Sequence, residues 1–449
     1  MKSFKIILLF FVLVLFFFSF SSNKIYTRDE ALYLIASERF SEFKTDIPDE
    51  YNGIDLYRGK NGKLYSPYAL GHSALAIPFV KLFKLVGNPY FGAKIYTVIV
   101  FALISILMVM FCGNVYKNFI FSAIMVFLSI MSSMAIAYNK TFFSEPSLTL
   151  FLLALIVFLK KSDASKGFLF HVLSAVSLGI IINIKLLYIL LIPITALYFF
   201  FAKDLPKKKV LQGIVIFLFL TFLIASVSAF YNYSRFENVF ESGYMEKHPS
   251  GAEHGFITPF YLGFYGLLFS FGKSVFLYNP LLVLIFFIKR FLPDNYKKIF
   301  LFSVIIGLFH LIIFSKWIYW DGGNGVWGPR FLIPVIPLLL SFIIISFKQF
   351  NLKNKIFFWI LTFAGIIINL PALMYDFKIF CYSEDWEKYL QSIFLPHYSP
   401  IVKSIKYLIS NFAEPAKIEI FSISLPIIII IAILLIMFVL RKKNVREII

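Results

Sequence analysis

The chain has 449 residues, 60% hydrophobic and only 15% charged, with 58 Phe; soluble domains are about 45–50% apolar, so a soluble globular protein is excluded. The formal net charge of +19 does not point to nucleic acid, because most Lys and Arg fall in short loops between apolar runs, the positive-inside pattern of membrane proteins. Cys112 and Cys381 are expected on opposite membrane sides, which argues against a disulfide, and no Cys cluster could hold a metal.

Residues 1–5 give a positively charged start and residues 6–20 one apolar run. This run is read as a first span rather than a cleaved leader, since Phe18-Ser-Phe-Ser-Ser22 lacks the small-x-small cleavage pattern. A polar stretch, 21–89, follows on the far side. Within it, 28–43 predicts an amphipathic helix on the membrane surface, with Leu32, Ile35, Ala36 and Phe40 on one face. Residues 53–67 are rich in turn formers, and 73–86 predict a second interfacial helix.

Further spans are predicted near 90–112, 118–137, 145–160, 167–183, 185–202, 210–230, 275–288, 299–314, 331–347, 355–372 and 421–440. With the first, that makes about twelve transmembrane helices. The stretch 167–202 is too long for one span at about 1.5 Å per residue. It is divided at Asn183-Ile184-Lys185, whose polar groups would be costly mid-bilayer. Loops assigned to the cytoplasmic side carry Lys117, Lys160, Lys161, Lys207 to Lys209, Lys289, Arg290, Lys348 and Arg441 to Lys443. External loops hold most of the Asp and Glu. The expected architecture is an all-α polytopic membrane protein with both termini cytoplasmic. Residues 1–347, including external loop 21–89, form its catalytic module; 348–449 form the C-terminal helices with external loop 373–420.

Four external segments, 21–89, 138–146, 231–274 and 315–330, are longer or more unusual than connectors need to be. Their concentration on one side suggests a functional face. Asp29 and Glu30 open the first. Thr27-x-x-Glu30 matches a capping box, and Asp29 would be stabilised at a helix N-terminus. The alternative makes Asp29 a general base at the lipid boundary, with Glu30 in support. Glu145, before Pro146, fits a helix start, or a third carboxylate on the same face. The fourth segment reads Trp317-Ile-Tyr-Trp320-Asp321-Gly-Gly-Asn-Gly-Val-Trp327-Gly-Pro-Arg330. Its glycines exclude a helix and allow backbone to approach a ligand closely. Its Trp side chains could also form an interfacial belt. Arg330 stands at the outer end of an apolar span against the positive-inside trend, where an anionic partner such as phosphate is expected. Lys185 is a second candidate phosphate ligand, with snorkelling as its alternative.

Other external residues that could bind substrate are Lys63, Tyr65, Tyr68 and His72, then Arg235 and Tyr244 in an aromatic-rich stretch, and Lys273, Trp320, Asp321 and Trp327. His310, inside an apolar run, reads as a hydrogen-bonded core histidine. The carboxylates could hold a divalent metal ion but show no ligand spacing specific for one.

A short first span followed by Asp29-Glu30, then Tyr65-Ser-Pro-Tyr-Ala-Leu-Gly71, Glu145 opening a later span, and Gly328-Pro-Arg-Phe-Leu332 resemble the GT-C superfamily of membrane glycosyltransferases. The group most resembled is that of protein O-mannosyltransferases and lipid A aminoarabinose transferases. The resemblance implies inverting transfer of a sugar from a polyprenyl-phosphate donor to a lipid, glycan or protein acceptor at the outer membrane face. It implies Asp29 as general base, Glu30 as a supporting acid, and Arg330 with Lys185 on the donor phosphate. Ser66-Pro67-Tyr68-Ala69 stands where the aminoarabinose enzymes have Lys-Pro-Pro-Leu, so sugar and acceptor are not implied. Two other classes compete: a multi-span transporter or flippase of a lipid-linked sugar, and a polysaccharide polymerase or ligase. Charge-free spans with polar groups gathered in external loops favour surface chemistry over transport.

Overall fold

Short polar residues decide where the apolar runs become helices. The computed structural model describes residues 2–22, 24–51, 56–163, 168–201, 206–241, 243 and 255–411. Asn88 caps a helix by accepting from the Phe91 N–H, Asn118 does the same for Phe121, and Asn351 for Asn354. The resulting helices are α1 (Lys2–Ser19), α2 (Arg28–Ser41), α3 (Gly71–Lys84), α4 (Pro89–Tyr116), α5 (Phe119–Met131), α6 (Glu145–Ser162), α7 (Leu169–Ile184), α8 (Leu191–Phe200) and α9 (Lys207–Phe236). They continue with α10 (Phe260–Phe269), α11 (Val275–Tyr278), α12 (Asp294–Lys316), α13 (Ile336–Phe347), α14 (Leu352–Met374), α15 (Lys378–Cys381), α16 (Trp386–Phe394) and α17 (Pro400–Asn411). A two-stranded hairpin, β1 (Tyr57–Arg58) and β2 (Leu64–Tyr65), pairs Tyr57 with Tyr65 in antiparallel register.

Among the described residues, five helical stretches are long and apolar enough to cross a membrane: α4, α9, α12, the run Arg330–Phe347 that includes α13, and α14. A bent pair would make a sixth, and four shorter apolar helices accompany them. The chain is an integral membrane protein by this measure. Helix α4 occupies the centre, packed against α1, α3, α5, α6 and α13. Helix α13 is almost wholly buried, whereas α9 turns Phe219, Phe222 and Phe230 outward, as a lipid-facing helix would.

Three departures from the expected spans shape the molecule. The stretch expected as one span over 118–137 bends by 82° between Met131 and Met134. Ser132 and Ser133 turn their hydroxyls back onto Ser129 and Ile130 carbonyls, and the Met134 N–H bonds Asn279 Oδ1 at 2.9 Å. Met134–Lys140 then runs on as a 3₁₀ helix. The expected span at 275–288 is instead α11 followed by two 3₁₀ turns, Pro280–Phe286 and Ile288–Phe291. Pro280 lacks the N–H that would continue a helix. Asn279 serves both breaks, since its Nδ2 bonds Val275 O at 2.8 Å; broken backbone survives at membrane depth only where protein satisfies it. Finally, the expected external loop 231–274 contains the apolar helix α10. The break at Asn183-Ile184-Lys185 is as the sequence predicts, and helices form near the expected 28–43 and 73–86, as α2 and α3. The last expected span, 421–440, lies outside the described residues.

Candidate active site

Four charged side chains from four distant segments meet where helices begin or break. Asp29 lies in the first turn of α2, and Glu145 opens α6 ahead of Pro146. Lys185 occupies the extended break after α7, and Arg330 starts the 3₁₀ turn that leads into α13. Arg330 Nη1 donates to Asp29 Oδ2 at 2.9 Å, and its Nε is 3.8 Å from Glu145 Oε1. Lys185 Nζ reaches the same Glu145 oxygen at 2.8 Å. The side chain of Glu145 is 3% exposed and that of Asp29 30%, so the cluster is sealed behind Glu145 and open at Asp29.

Aromatic rings line the cations. The Arg330 guanidinium lies 4.4 Å from the Phe143 ring centroid, and Lys185 Nζ lies 4.8 Å from that of Phe331. Such faces hold a cation without neutralising it. The two carboxylates and two cations sum to zero charge, and two helix N-termini add positive potential to the same place.

Glu30 is buried beside this cluster. Thr27 caps α2 through the Glu30 N–H, as the capping-box spacing predicts. The carboxylate itself accepts from the Phe142 N–H at 2.8 Å and from the Thr27 hydroxyl at 3.3 Å. Burial pushes its pKa up to about 8, so it is held protonated at neutral pH. Glu30 therefore ties α2 to the turn before α6 as a neutral acid.

Tyr33 extends that tie. Its hydroxyl donates to Ser144 Oγ at 3.1 Å and its ring stacks on Tyr68 at 4.4 Å. His72 lies behind both. Its Nε2 meets the Phe142 carbonyl at 3.3 Å, which requires a proton on Nε2, so Nδ1 accepts from Ser147 Oγ at 2.9 Å. Burial lowers its pKa to about 3. The buried, neutral ring braces α3 against the start of α6.

The other expected substrate contacts are placed elsewhere. Lys63 forms an exposed pair with Asp46 at 3.6 Å, and the Tyr65 hydroxyl accepts from Asn61 at 2.7 Å. Arg235 is buried as a staple: Nη1 bonds Ser66 O at 2.6 Å, Nη2 bonds Asn232 Oδ1 at 2.7 Å, and the guanidinium stacks 3.8 Å from the Tyr231 ring. It pins loop 56–70 to the end of α9. Tyr244 lies outside the described residues. His310 bonds Tyr188 and the Ile306 carbonyl, each at 2.8 Å, as expected of a core histidine.

Trp320, Asp321, Trp327 and Lys273 belong to a second assembly around the glycine-rich loop. The Trp327 indole donates to Asn369 Oδ1 at 2.9 Å, and Lys273 Nζ bonds Val326 O at 3.1 Å. Trp320 packs against Gly266, where a Cβ would meet the ring at 2.1 Å. Asp321 accepts from the Tyr389 hydroxyl at 2.5 Å, and Asn324 exchanges two hydrogen bonds with Ser383. The stretch 383–394, which carries no recognisable pattern in the sequence, thus closes over this loop.

Among the described residues, no three His, Cys, Asp or Glu side chains gather as metal ligands. Asp29 and Glu145 each already face a cation, so this arrangement does not fit a divalent ion.

No protein-family profile and no curated protein matches the sequence. Solved structures do match. ArnT from Cupriavidus metallidurans bound to undecaprenyl phosphate superposes with a TM-score of 0.55 at 14% identity, over 91% of this chain and 75% of that one. The same protein in its apo state gives 0.55 at 12% identity, over 92% and 76%. The archaeal oligosaccharyltransferase AglB from Archaeoglobus fulgidus, in complex with an inhibitory peptide and a dolichol-phosphate, gives 0.54 at 11% identity, over 86% and 57%. ArnT, a lipid A aminoarabinose transferase, and AglB are both GT-C proteins. At these identities the likeness is one of fold, and it is the fold that the sequence resemblance implies.

Proposed function

We propose that the chain is an inverting glycosyltransferase of the outer membrane face, moving a sugar from a polyprenyl-phosphate donor to a hydroxyl of a lipid, glycan or protein acceptor. The observation that carries this reading is the convergence of Asp29, Glu145, Arg330 and Lys185 at the ends of apolar helices. Both solved neighbours were captured with a lipid phosphate, and their fold supports the same chemistry here.

The residues divide the work as follows. The donor phosphate takes a place on Arg330 and Lys185, with the N-termini of α2 and α6 adding positive potential. Arg330 then exchanges Asp29 for phosphate, and the freed carboxylate accepts the proton of the acceptor hydroxyl. The acceptor oxygen bonds the anomeric carbon as its bond to the phosphate oxygen breaks, and polyprenyl phosphate leaves with its charge held by the two cations. Glu145 keeps Lys185 and Arg330 aimed at this point. In this reading residues 1–347 are the catalytic module, some twelve spans cross the inner or plasma membrane, and both termini face the cytoplasm.

A transporter would place such charges along a path through the spans; here they gather at one point, at helix starts and breaks. The test is transfer by the purified protein from radiolabelled polyprenyl-phosphate sugars to a host membrane extract. Appearance of labelled product with release of polyprenyl phosphate supports the reading; movement of the lipid-linked sugar across vesicles without release favours the transporter.

A further inference from the structure

At the other end of the bundle the chain leaves two joined cavities. Helix α12 runs from Asp294 to Lys316 over 23 residues, about 35 Å at 1.5 Å per residue. Its Lys316 end feeds the glycine-rich loop and Arg330, so its Asp294 end lies on the opposite face. There a cavity of about 440 Å³ is lined by Phe286, Phe287, Lys289, Arg290 and Lys297. A second, of about 260 Å³, shares Phe287 and Arg290 with it and is walled by Phe291, Phe350 and Phe357, with Asn354 at its edge.

Charge and exposure point to the occupant. Lys297 pairs with Asp294 at 2.6 Å, but among the described residues neither Lys289 nor Arg290 has an ion-pair partner. The Arg290 guanidinium instead lies 4.8 Å from the Phe291 ring centroid. Directly beside these cations Phe286 is 68% exposed and Phe287 51% exposed, surface that water covers poorly.

We propose that this pocket binds one two-chain anionic phospholipid from the leaflet opposite the carboxylate cluster. Its phosphate lies on Lys289 and Arg290, which suit it as point charge and bidentate fork respectively. One acyl chain fills the cavity between Phe287 and Phe357, and the other covers Phe286. Basic pockets between transmembrane helices are established sites for such headgroups. The site is separate from the proposed donor site by the length of α12, and it gives a headgroup and a chain different places, since three cations line one cavity and Phe side chains wall the other.

The test is native mass spectrometry of the full-length protein in mild detergent with added phosphatidylglycerol, phosphatidylcholine or undecaprenyl phosphate. One phosphatidylglycerol should stay bound at collision energies that strip phosphatidylcholine, and Lys289→Ala with Arg290→Ala should weaken retention about tenfold or more. Arg290→Lys, which keeps the charge and loses the fork, is the second variant in case the double one does not fold; it should weaken retention by a smaller factor. Equal retention of phosphatidylglycerol and phosphatidylcholine would mean a general lipid belt and overturn the proposal. So would undiminished retention in the variants, or displacement of phosphatidylglycerol by undecaprenyl phosphate. None of these outcomes depends on sugar transfer.

Discussion

Arg330 Nη1 donates to Asp29 Oδ2 at 2.9 Å across 301 residues of sequence. The residue proposed to hold the donor phosphate is therefore occupied by the residue proposed as the base. In the proposed reaction the donor phosphate displaces Asp29 from Arg330, so the base becomes free only when the leaving group is in place.

That exchange depends on the geometry of the guanidinium as well as its charge. Arg330→Lys should preserve the ion pair with Asp29 but lose the fork, raising the KM for the lipid-phosphate donor about tenfold to a hundredfold. Steady-state kinetics over a donor series checks this. An unchanged KM with lowered kcat would instead mean that Arg330 meets the phosphate only in the transition state.

Glu145 and Lys185 form a pair whose carboxylate is nearly sealed from solvent. Lys185→Met should cost about 1.5–3 kcal/mol, the worth of a hydrogen bond to a charged group, because it removes the nearer of the two cations on Glu145 and leaves Arg330 at 3.8 Å. Glu145→Gln combined with Lys185→Met should recover much of that stability without recovering transfer. Thermal unfolding of the three proteins in one detergent checks the stability arm.

Glu30 supplies a dependence on pH. Its pKa is raised by burial from 4.5 to about 8, so the folded state holds a proton that the unfolded state has already released above pH 4.5. Its contribution to stability is full below about 4.5 and is lost as pH rises toward and through 8. Glu30→Gln keeps an oxygen acceptor for the Phe142 N–H and cannot ionise. The variant should therefore show a flatter stability profile between pH 5 and 8 and should gain on wild type as pH rises. Glu30→Ala, which strands that N–H and likewise cannot ionise, should lose about 1–3 kcal/mol near pH 5, a deficit that narrows as pH rises. Unfolding profiles across this range check both.

Arg235 distinguishes a staple from a substrate ligand. Among the described residues, all its hydrogen bonds go to Ser66, Asn232 and Tyr231. Arg235→Ala should lower the unfolding temperature and make loop 56–70 faster in amide exchange. A change confined to KM, with unaltered exchange, would return Arg235 to the substrate site.

The charged members of the site were legible in the sequence for a physical reason. Asp29, Glu145, Lys185 and Arg330 stand at the edges of apolar runs, where an isolated charge is costly and a partner is demanded. Their pairing was not legible, because nothing local marks a contact between residues 29 and 330. The capping-box spacing of Thr27 and Glu30 concealed a second role: Thr27 caps as expected, but the carboxylate is turned to Phe142. His72 looked like an external ligand since neither Ser147 nor the Phe142 carbonyl could be foreseen beside it. The breaks at Met131 and Asn279 escaped a hydropathy reading, which sees apolar composition and not the serine and asparagine bonds that end a helix. Tyr389 carried no signal, as its partner Asp321 lies 68 residues away.

The most direct measurement is sugar transfer by purified wild type and Asp29→Asn, with polyprenyl-phosphate sugars as donors and equal amounts of folded protein. The asparagine can still accept from Arg330 but cannot take a proton, so transfer should fall by about two to four orders of magnitude with donor binding retained. Transfer by Asp29→Asn at the wild-type rate would contradict the assignment and leave Asp29 as no more than the ion-pair partner of Arg330.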